Sequence, residues 1–376
     1  MIDQTTGEAP LLVAFRVDAS LQMGSGHVMR CLTLADALRK RGARVYFVSR
    51  LHEGCLVSMV ERRGYQVREL PAPDRRWSST AAEQSDHINW LGVTWQEDAA
   101  QTQDALGDEI WDWLVVDHYA LDHRWERLLR EHCRKLMVID DLADRVHDCD
   151  VLLDQNLGRL AQDYEQLVPD HCQLLISPQY ALLRAEFSAW REYSLRRRQT
   201  SQLQRLLITM GGVDQANATA AVLTALRTCP LPEDCHITVV MGPHAPWLAQ
   251  VQNLAATLPW TTEVKVNVDN MAQLMADSDL AIGAAGSTSW ERCCLGLPTL
   301  MLVLAENQRG VAKSLHSAGA AVSLGDVQGV SNRLAPAVSA MLASKKRAAI
   351  ASAASTLCDG RGAQRLLNCM GKADGR

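Results

Sequence analysis

The sequence predicts an α/β protein made of two doubly wound, Rossmann-like domains that face a cleft. Short β-branched runs alternate with helical patterns along most of its 376 residues, and this alternation implies βαβ units and parallel sheets. The length is too great for one ordinary domain and suits two. A polar and basic stretch between Ala185 and Gln204, which has no strand pattern, divides the chain into two halves.

Each half is predicted to contain six strands, with helices such as 28–40 and 122–133 between them. The strands of the first half are 12–17, 44–49, 65–69, 113–117, 136–140 and 151–154. Those of the second half are 206–210, 237–241, 263–268, 280–282, 299–304 and 321–324. We therefore predict a first domain over residues 1–190, a linker over 191–204 and a second domain over 205–376. A loop or insertion rich in Pro, Ser, Asp and Trp is predicted over 71–96.

The composition restricts the class of protein. With 47% hydrophobic and 22% charged residues, the chain has the balance of a globular protein with a full core. A net charge of −5 gives no reason to expect nucleic acid or an anionic membrane as a partner. The sequence shows neither an apolar run long enough to span a membrane nor a secretory signal. Its 11 scattered cysteines indicate free thiols in a reducing cytoplasm, and we expect a cytoplasmic monomer.

A first glycine-bearing turn links the first strand to the first helix, and its candidate substrate-binding residues are Arg16, Asp18, Gly24, Ser25 and Gly26. Glycines permit a tight turn, and a helix N-terminus offers N–H groups that suit a phosphate or a developing anion. His27 lies in the first turn of this helix, where the positive helix end favours a neutral imidazole that is able to deprotonate water. The alternative is that the glycines only shape the turn and His27 caps it, since the third glycine of a dinucleotide fingerprint is absent.

A second glycine-bearing turn, in the second half, predicts a site for a diphosphate and a ribose. Gly286, Ser287 and Thr288 present N–H and hydroxyl donors at a helix start. Glu291, about one turn further on, can accept both hydroxyls of a ribose. The alternative is that Glu291 only complements the helix dipole.

The loop at Gly211 and Gly212 ends another strand of the same half, and ligands of doubly wound sheets lie beyond the carboxyl ends of their strands. We therefore expect this loop to line the same crevice as the second glycine-bearing turn. His244, after the next strand, is predicted to be structural.

Polar residues also follow three strands of the first half, in the segments 117–122, 139–144 and 154–156. We interpret this edge, with Asp117, Tyr119 and Asn156, as sugar-binding. A metal site formed by Asp117, His118 and His123 is the alternative. Strand-end aspartates more often cap helices, however, and no spacing here is diagnostic of a metal. We therefore expect neither a metal nor another cofactor.

In their order and spacing, these motifs together resemble the UDP-2,4-diacetamido-2,4,6-trideoxy-β-L-altropyranose hydrolases of bacterial pseudaminic acid synthesis. The segments that carry the resemblance are 16–30, 117–119, 139–143, 154–156, 179–184 and 286–291, within a match from about residue 12 to residue 325. That family is similar to the two-domain glycosyltransferases of the B type, so the resemblance implies a GT-B-like fold.

The resemblance also implies an activity and roles for several residues. The diphosphate of UDP would bind at residues 286–289 and its ribose at Glu291, while the sugar would face the first domain. His27 would activate water at the anomeric carbon, and Tyr119 would position the sugar or the water. Cleavage of the C–O bond with inversion would release UDP and the free sugar, without a metal. A place in pseudaminic acid synthesis, and hence in flagellin glycosylation, follows from the resemblance alone.

Two rival functions are consistent with the same motifs. A true glycosyltransferase would pass the sugar to an acceptor other than water, and its UDP site would look the same in sequence. A UDP-sugar-binding protein without activity would keep Glu291 and the loop at Gly286 but would not need His27.

Overall fold

The structure is a computed structural model, and it describes residues 10–74, 87–199, 202–243 and 245–371. The chain divides into two compact units. Among the described residues, the first contains 10–74, 87–154, Arg159–Ile176 and 366–371, and the second contains Gln155–Gly158, 177–199, 202–243 and 245–365. These boundaries differ from the predicted ones, because the second unit begins earlier along the chain and the C-terminal segment belongs to the first unit.

The first unit is built on a seven-stranded parallel sheet. Its strands are β1 (Leu12–Val17), β2 (Arg44–Arg50), β3 (Gln66–Leu70), β4 (Trp111–Asp117), β5 (Cys133–Ile139), β6 (Val151–Asp154) and β7 (Gln173–Ile176). Its helices are α1 (Gly26–Lys40), α2 (Val57–Arg62), α3 (Trp95–Leu106) and α4 (His123–Leu129). The strand order is β3-β2-β1-β4-β5-β6-β7. The order reverses between β1 and β4, so the loops after these two strands flank the switch point at which such sheets bind ligands.

The second unit is built on a six-stranded parallel sheet. Its strands are β8 (Arg205–Thr209), β9 (His236–Met241), β10 (Thr262–Val266), β11 (Leu280–Ala284), β12 (Thr299–Val303) and β13 (Val322–Asp326). The order β10-β9-β8-β11-β12-β13 places the switch point between β8 and β11.

The remaining helices begin in the second unit. They are α5 (Ala185–Arg197), α6 (Ala218–Leu226), α7 (Leu248–Ala255), α8 (Met271–Asp277), α9 (Thr288–Cys294), α10 (Arg309–Ser317), α11 (Val330–Leu342), α12 (Ser344–Leu357) and α13 (Gly362–Met370). Within the described residues, no helix is both long and apolar enough to cross a membrane.

The apolar strand runs form these sheets because a parallel sheet with helices on both faces buries the side chains of its central strands. Five of the six residues of β1 and all five of β11 are buried. Across β1 and β2, Phe15 stacks on Phe47 with ring centroids 5.1 Å apart. All twelve predicted strands are present, displaced by three residues or fewer at either end. The prediction of two doubly wound α/β domains is therefore confirmed.

The predicted linker over 191–204 is not a separate segment. Residues up to Arg197 belong to α5, a helix of the second unit. Arg191 donates to the carbonyl oxygen of Cys294, and the Nε of Arg198 donates to that of Leu295 at 3.0 Å. The guanidinium groups of both arginines therefore satisfy carbonyl oxygens of the second unit.

Two further elements were not predicted. Strand β7 has only four residues, too few to show a pattern of its own, and it forms by pairing in parallel with β6. Within the predicted insertion over 71–96, residues 75–86 lie outside the described residues. The described part contains a short 3-10 helix, Ile88–Trp90, and the start of α3.

Candidate active site

His27 of the first unit is held by a carboxylate from the neighbouring strand. It is the second residue of α1, is 9% exposed, and its Nδ1 lies 2.7 Å from Oδ1 of Asp117, the last residue of β4. The Nη2 of Arg30 is also near Nδ1, but at 3.2 Å. We assign the proton to Nδ1, because the carboxylate is the closer partner and can only accept. The acceptor nitrogen of the imidazole is then Nε2.

A guanidinium fixes this carboxylate in turn. Arg30 lies one turn after His27 on α1, and its Nε and Nη2 donate to the two oxygens of Asp117 at 2.6 and 2.7 Å. Burial favours a higher pKa for Asp117, but Arg30 and His27 outweigh it and hold this pKa well below its usual range. Asp117 was predicted to bind substrate. The structure buries it and engages both of its oxygens with His27 and Arg30, which disfavours a direct contact with substrate and holds the imidazole in one orientation.

Tyr119 completes the surroundings of His27. Its ring meets the imidazole edge-on with centroids 4.6 Å apart, and its hydroxyl donates to Oδ2 of Asp141 at 2.7 Å. The same Oδ2 accepts from Nη1 of Arg30 at 2.6 Å. Burial, followed by the charge of Asp141, raises the pKa of Tyr119 well above its usual value, so the phenol stays protonated. Its predicted contact with sugar or water stays a prediction.

Arg30 and Asp141 were not selected from the sequence. The spacing of His27 and Arg30, three residues apart on one helix face, is a local signal that could have identified Arg30. Asp141 lies in the segment 139–144, which was predicted at the same sheet edge, but only the strand order shows that β5, which it follows, is the neighbour of β4.

Burial disfavours the substrate contacts predicted for Arg16 and Asp18, because neither side chain has exposed surface. The Nη1 of Arg16 lies 2.6 Å from Oδ1 of Asp18, and its Nη2 lies 2.6 Å from Oδ2 of Asp98 on α3. Asp98 also accepts from Nη2 of Arg50 at 2.6 Å. This buried ionic network supports the turn that leads to His27.

His118 also faces the buried network. Its Nε2 lies 3.4 Å from Oδ2 of Asp18, and burial lowers the pKa of His118 to about 3, so it is neutral at neutral pH. In the described part of the chain, no group of three or more His, Cys, Asp and Glu residues is arranged to hold a metal ion. The predicted alternative of a metal at Asp117, His118 and His123 is therefore not supported.

The turn before α1 has the geometry that its glycines predicted. Gly24 has φ +75°, in the left-handed region, and its N–H donates to the carbonyl oxygen of Ser20 at 2.8 Å. Ser25 and Gly26 are exposed at the helix start. Because the side chain of Ser25 makes no capping hydrogen bond, the helix start presents N–H groups at its surface.

In the second unit, a buried arginine supports the turn after β11. The Nη2 of Arg292 donates to the carbonyl oxygen of Ala284 at 2.6 Å, and its Nη1 donates to Oγ1 of Thr288 at 3.1 Å. A Cβ on Gly283 would lie 2.7 Å from this Nη1, so only glycine leaves room for the arginine. Burial lowers the pKa of Arg292 to about 10, which still leaves it charged at neutral pH. The sequence analysis gave Arg292 no role.

Glu291 is a carboxylate with an altered ionisation. Its side chain is 17% exposed. Burial raises its pKa to about 7, although Arg184, whose Nη2 is 3.9 Å from Oε1, and Arg292 both act to lower it. A carboxyl group that changes charge near neutral pH can take part in ligand binding that depends on pH.

The loop after β8 approaches another backbone closely. Gly211 has φ +94° and is exposed together with Gly212. A Cβ on Gly242, after β9, would collide with the carbonyl oxygen of Gly212.

Asn156 was assigned to the first domain but lies in a short stretch that belongs to the second unit. His244 lies outside the described residues.

Comparisons with solved structures define the class of fold. The chain superposes on Acinetobacter baumannii MurG with a TM-score of 0.70 and 15% identity, covering 96% of this chain and all of the other. It superposes on Arabidopsis thaliana UGT89C1, solved with UDP-L-rhamnose, with a TM-score of 0.66 and 12% identity over 96% and 100% of the two chains. Residues 205–366 match the glycosyltransferase family 28 C-terminal domain. The fold is that of the B-type glycosyltransferases.

Sequence relatives test the resemblance. The chain is 28% identical to the UDP-2,4-diacetamido-2,4,6-trideoxy-β-L-altropyranose hydrolase of Campylobacter jejuni, over 82% of this chain and 97% of that protein. It is 31% identical to the spore coat polysaccharide biosynthesis protein SpsG of Bacillus subtilis, over 42% and 45%. An uncharacterized protein of Methanocaldococcus jannaschii is 27% identical over 79% of this chain, which spans only 56% of that protein. The chain is therefore similar to the Campylobacter hydrolase over most of its length, and the resemblance predicted from its motifs is confirmed.

Proposed function

We propose that this protein hydrolyses UDP-2,4-diacetamido-2,4,6-trideoxy-β-L-altropyranose, or a close stereoisomer, to UDP and the free sugar. The observation that carries the proposal is the His27–Asp117 pair, in which one ring nitrogen of a partly accessible imidazole is held at 2.7 Å by an ionised carboxylate. Such a pair fixes the tautomer and leaves the second nitrogen able to take a proton. The Campylobacter relative, which this chain matches over 97% of its length, supports the substrate.

The reaction requires one proton acceptor and one stabilised leaving group. Nε2 of His27 takes a proton from water as the water oxygen bonds to the anomeric carbon. The bond from that carbon to the diphosphate oxygen breaks, and its electron pair leaves with UDP. Attack from the side opposite UDP inverts the anomeric centre. Ionised Asp117 stabilises the imidazolium that forms.

The second unit supplies the groups for UDP. We assign the diphosphate to the N–H and hydroxyl groups of Gly286, Ser287 and Thr288, with the buried charge of Arg292 behind them, and the ribose to Glu291. Preorganised donors and a positive charge stabilise a leaving diphosphate, so the proposal needs no metal or cofactor. Gly24, Ser25, Gly26, Asn156, Gly211 and Gly212 remain proposed substrate contacts.

The test is UDP release in the absence of any acceptor. We expect His27→Ala to lower kcat by about 10²–10⁴-fold, the usual contribution of general base catalysis, while UDP affinity measured by calorimetry stays near that of the unchanged protein. His171→Ala is the matched control, because that side chain is 61% exposed. Undiminished turnover in His27→Ala would refute the assignment of the base.

Glycosyl transfer is a second candidate, favoured by the match of residues 205–366 and by the fold of MurG. A transferase would release UDP slowly in water alone and rapidly with its acceptor. A binding protein without activity would release none, and the ordered base at His27 would then have no use.

A further inference from the structure

An aromatic cluster stands beside the proposed base. It consists of His27, His87, Trp90 and Tyr119, and we call it the aromatic wall. Trp90 stacks on Tyr119 with an interplanar angle of 25° and centroids 5.6 Å apart. The ring of His87 meets Trp90 at 4.5 Å and Tyr119 at 5.1 Å, and Trp90 lies 6.4 Å from the imidazole of His27.

The local fold places Trp90 in this wall by anchoring the residues on either side of it. Ile88 and Leu91 are buried in the core of the first unit. Gly92 has φ +75°, and a Cβ there would lie 2.5 Å from Cγ of Pro73, so the turn packs tightly. Trp90 itself stays partly exposed, whereas Tyr119 is buried beneath its ring. The accessible apolar surface next to His27 is therefore an indole.

An indole face in this place favours apolar parts of a ligand. Aromatic rings offer large rigid apolar surface, and they pack well against C–H and methyl groups. A hydroxyl group pressed against the same surface would lose water without gaining a hydrogen-bond partner. A methyl group at C6 suits this surface, while the hydroxymethyl group of an ordinary hexose does not.

We propose that Trp90 is a specificity-determining residue that packs against the C6 methyl side of the sugar and so selects 6-deoxy sugars over their 6-hydroxy counterparts. This proposal rests on the proposed function, because it takes His27 as the marker of the anomeric centre. Trp90 lies near the end of the predicted insertion over 71–96. This insertion is outside the segments that carry the resemblance to the family, so the proposal gives it a role.

The test compares two substrates, the UDP-2,4-diacetamido-2,4,6-trideoxy sugar and the same compound with a hydroxyl at C6. We expect kcat/KM of the unchanged protein to favour the 6-deoxy substrate. Trp90→Ala should lower kcat/KM for that substrate by about 10–100-fold, the range for losing one apolar contact, and leave the 6-hydroxy compound nearly unaffected. Trp90→Phe should keep most of the preference, and thermal unfolding of both variants checks that they fold.

The outcomes separate this inference from the proposed function. If Trp90→Ala and the unchanged protein show the same preference between the two substrates, the inference is wrong while hydrolysis stands. If the unchanged protein releases UDP from neither compound, the proposed function fails. Calorimetric affinities of the same two compounds then decide the inference. The inference requires the unchanged protein to bind the 6-deoxy compound more tightly and Trp90→Ala to lose this preference.

Discussion

At the scale of single residues, catalysis in this account depends on how His27 is held. Asp117 accepts from Nδ1 of His27 and from two nitrogens of Arg30, and Arg30 reaches on to Asp141. The imidazole thus has one orientation and one tautomer. A base that must take its proton from a weakly acidic water molecule gains from both constraints.

Asp117→Asn tests this orientation. The amide keeps the shape of the side chain but loses the charge that stabilises imidazolium and holds the tautomer. We expect kcat to fall by about 10²–10⁴-fold, as in comparable His–Asp pairs, with KM nearly unchanged because the side chain of Asp117 has no exposed surface. Asp148→Asn, at a partly exposed aspartate of the same unit, is the control. Equal kcat in Asp117→Asn and the control would contradict the orienting role.

Glu291 predicts a pH dependence of UDP binding. Its pKa is raised to about 7, and the ionised form is the one that accepts two ribose hydroxyls. A ligand that prefers the ionised form binds more tightly as the pH rises through about 7 and more weakly below it. The charged side chains that act on Glu291 are those of Arg184, Arg292 and Glu186.

Calorimetry of UDP between pH 6 and pH 8 measures this change in affinity. The change should fall within about one pH unit on either side of the pKa of Glu291. Glu291→Gln is the matched control, because it removes this titration and keeps that of the UDP phosphate. We expect the variant to bind more weakly by about 1–3 kcal/mol, the cost of lost buried hydrogen bonds. Identical pH profiles for both proteins would place the ribose elsewhere.

At the scale of elements, the apolar runs predicted the strands well because they need only local periodicity. Strand β7 was not predicted, and the stretch that contains α5 was predicted only as a helical or extended linker, for different reasons. Strand β7 is too short to show a period. The polar residues in and just after α5 have backbone carbonyl oxygens distant in sequence as their partners. The turns at Gly24 and Gly286 were predictable because glycine marks them locally. Arg292, Asp98 and Asp141 were not, because their roles depend on which strands lie side by side.

The buried network at Asp98 predicts a large effect on stability. Asp98 on α3 joins Arg16 of β1, Arg50 of β2 and the indole N–H of Trp125 on α4. Removing it by Asp98→Ala leaves two buried guanidinium groups without this partner, so we expect a loss of about 3–5 kcal/mol in the free energy of unfolding.

Urea unfolding followed by tryptophan fluorescence measures this loss. Asp148→Ala serves as the comparison, because its pairs with Arg127 and Arg130 are partly exposed and are worth roughly 0–1 kcal/mol. A similar small loss in both variants would show that the network contributes little to the stability of the first unit.

At the scale of the whole molecule, the fold is retained where sequence identity is low. A TM-score of 0.70 to MurG accompanies only 15% identity, because the alternation of strands and helices, rather than particular residues, specifies a doubly wound sheet. The proposed function depends on few positions, chiefly His27 and Asp117 in the first unit and Glu291 in the second. The predictions of a cytoplasmic monomer without nucleic-acid or membrane partners, and of a place in pseudaminic acid synthesis, stay predictions.

The central claim is that His27 directs water to the anomeric carbon of a UDP-sugar. Hydrolysis in ¹⁸O-labelled water, with ³¹P NMR of the released UDP and prompt ¹H NMR of the sugar, tests it most directly. We expect unlabelled UDP, a sugar released with inverted anomeric configuration, and loss of both products in His27→Ala. Label in the phosphate of UDP would show attack at phosphorus, and this result would contradict the account.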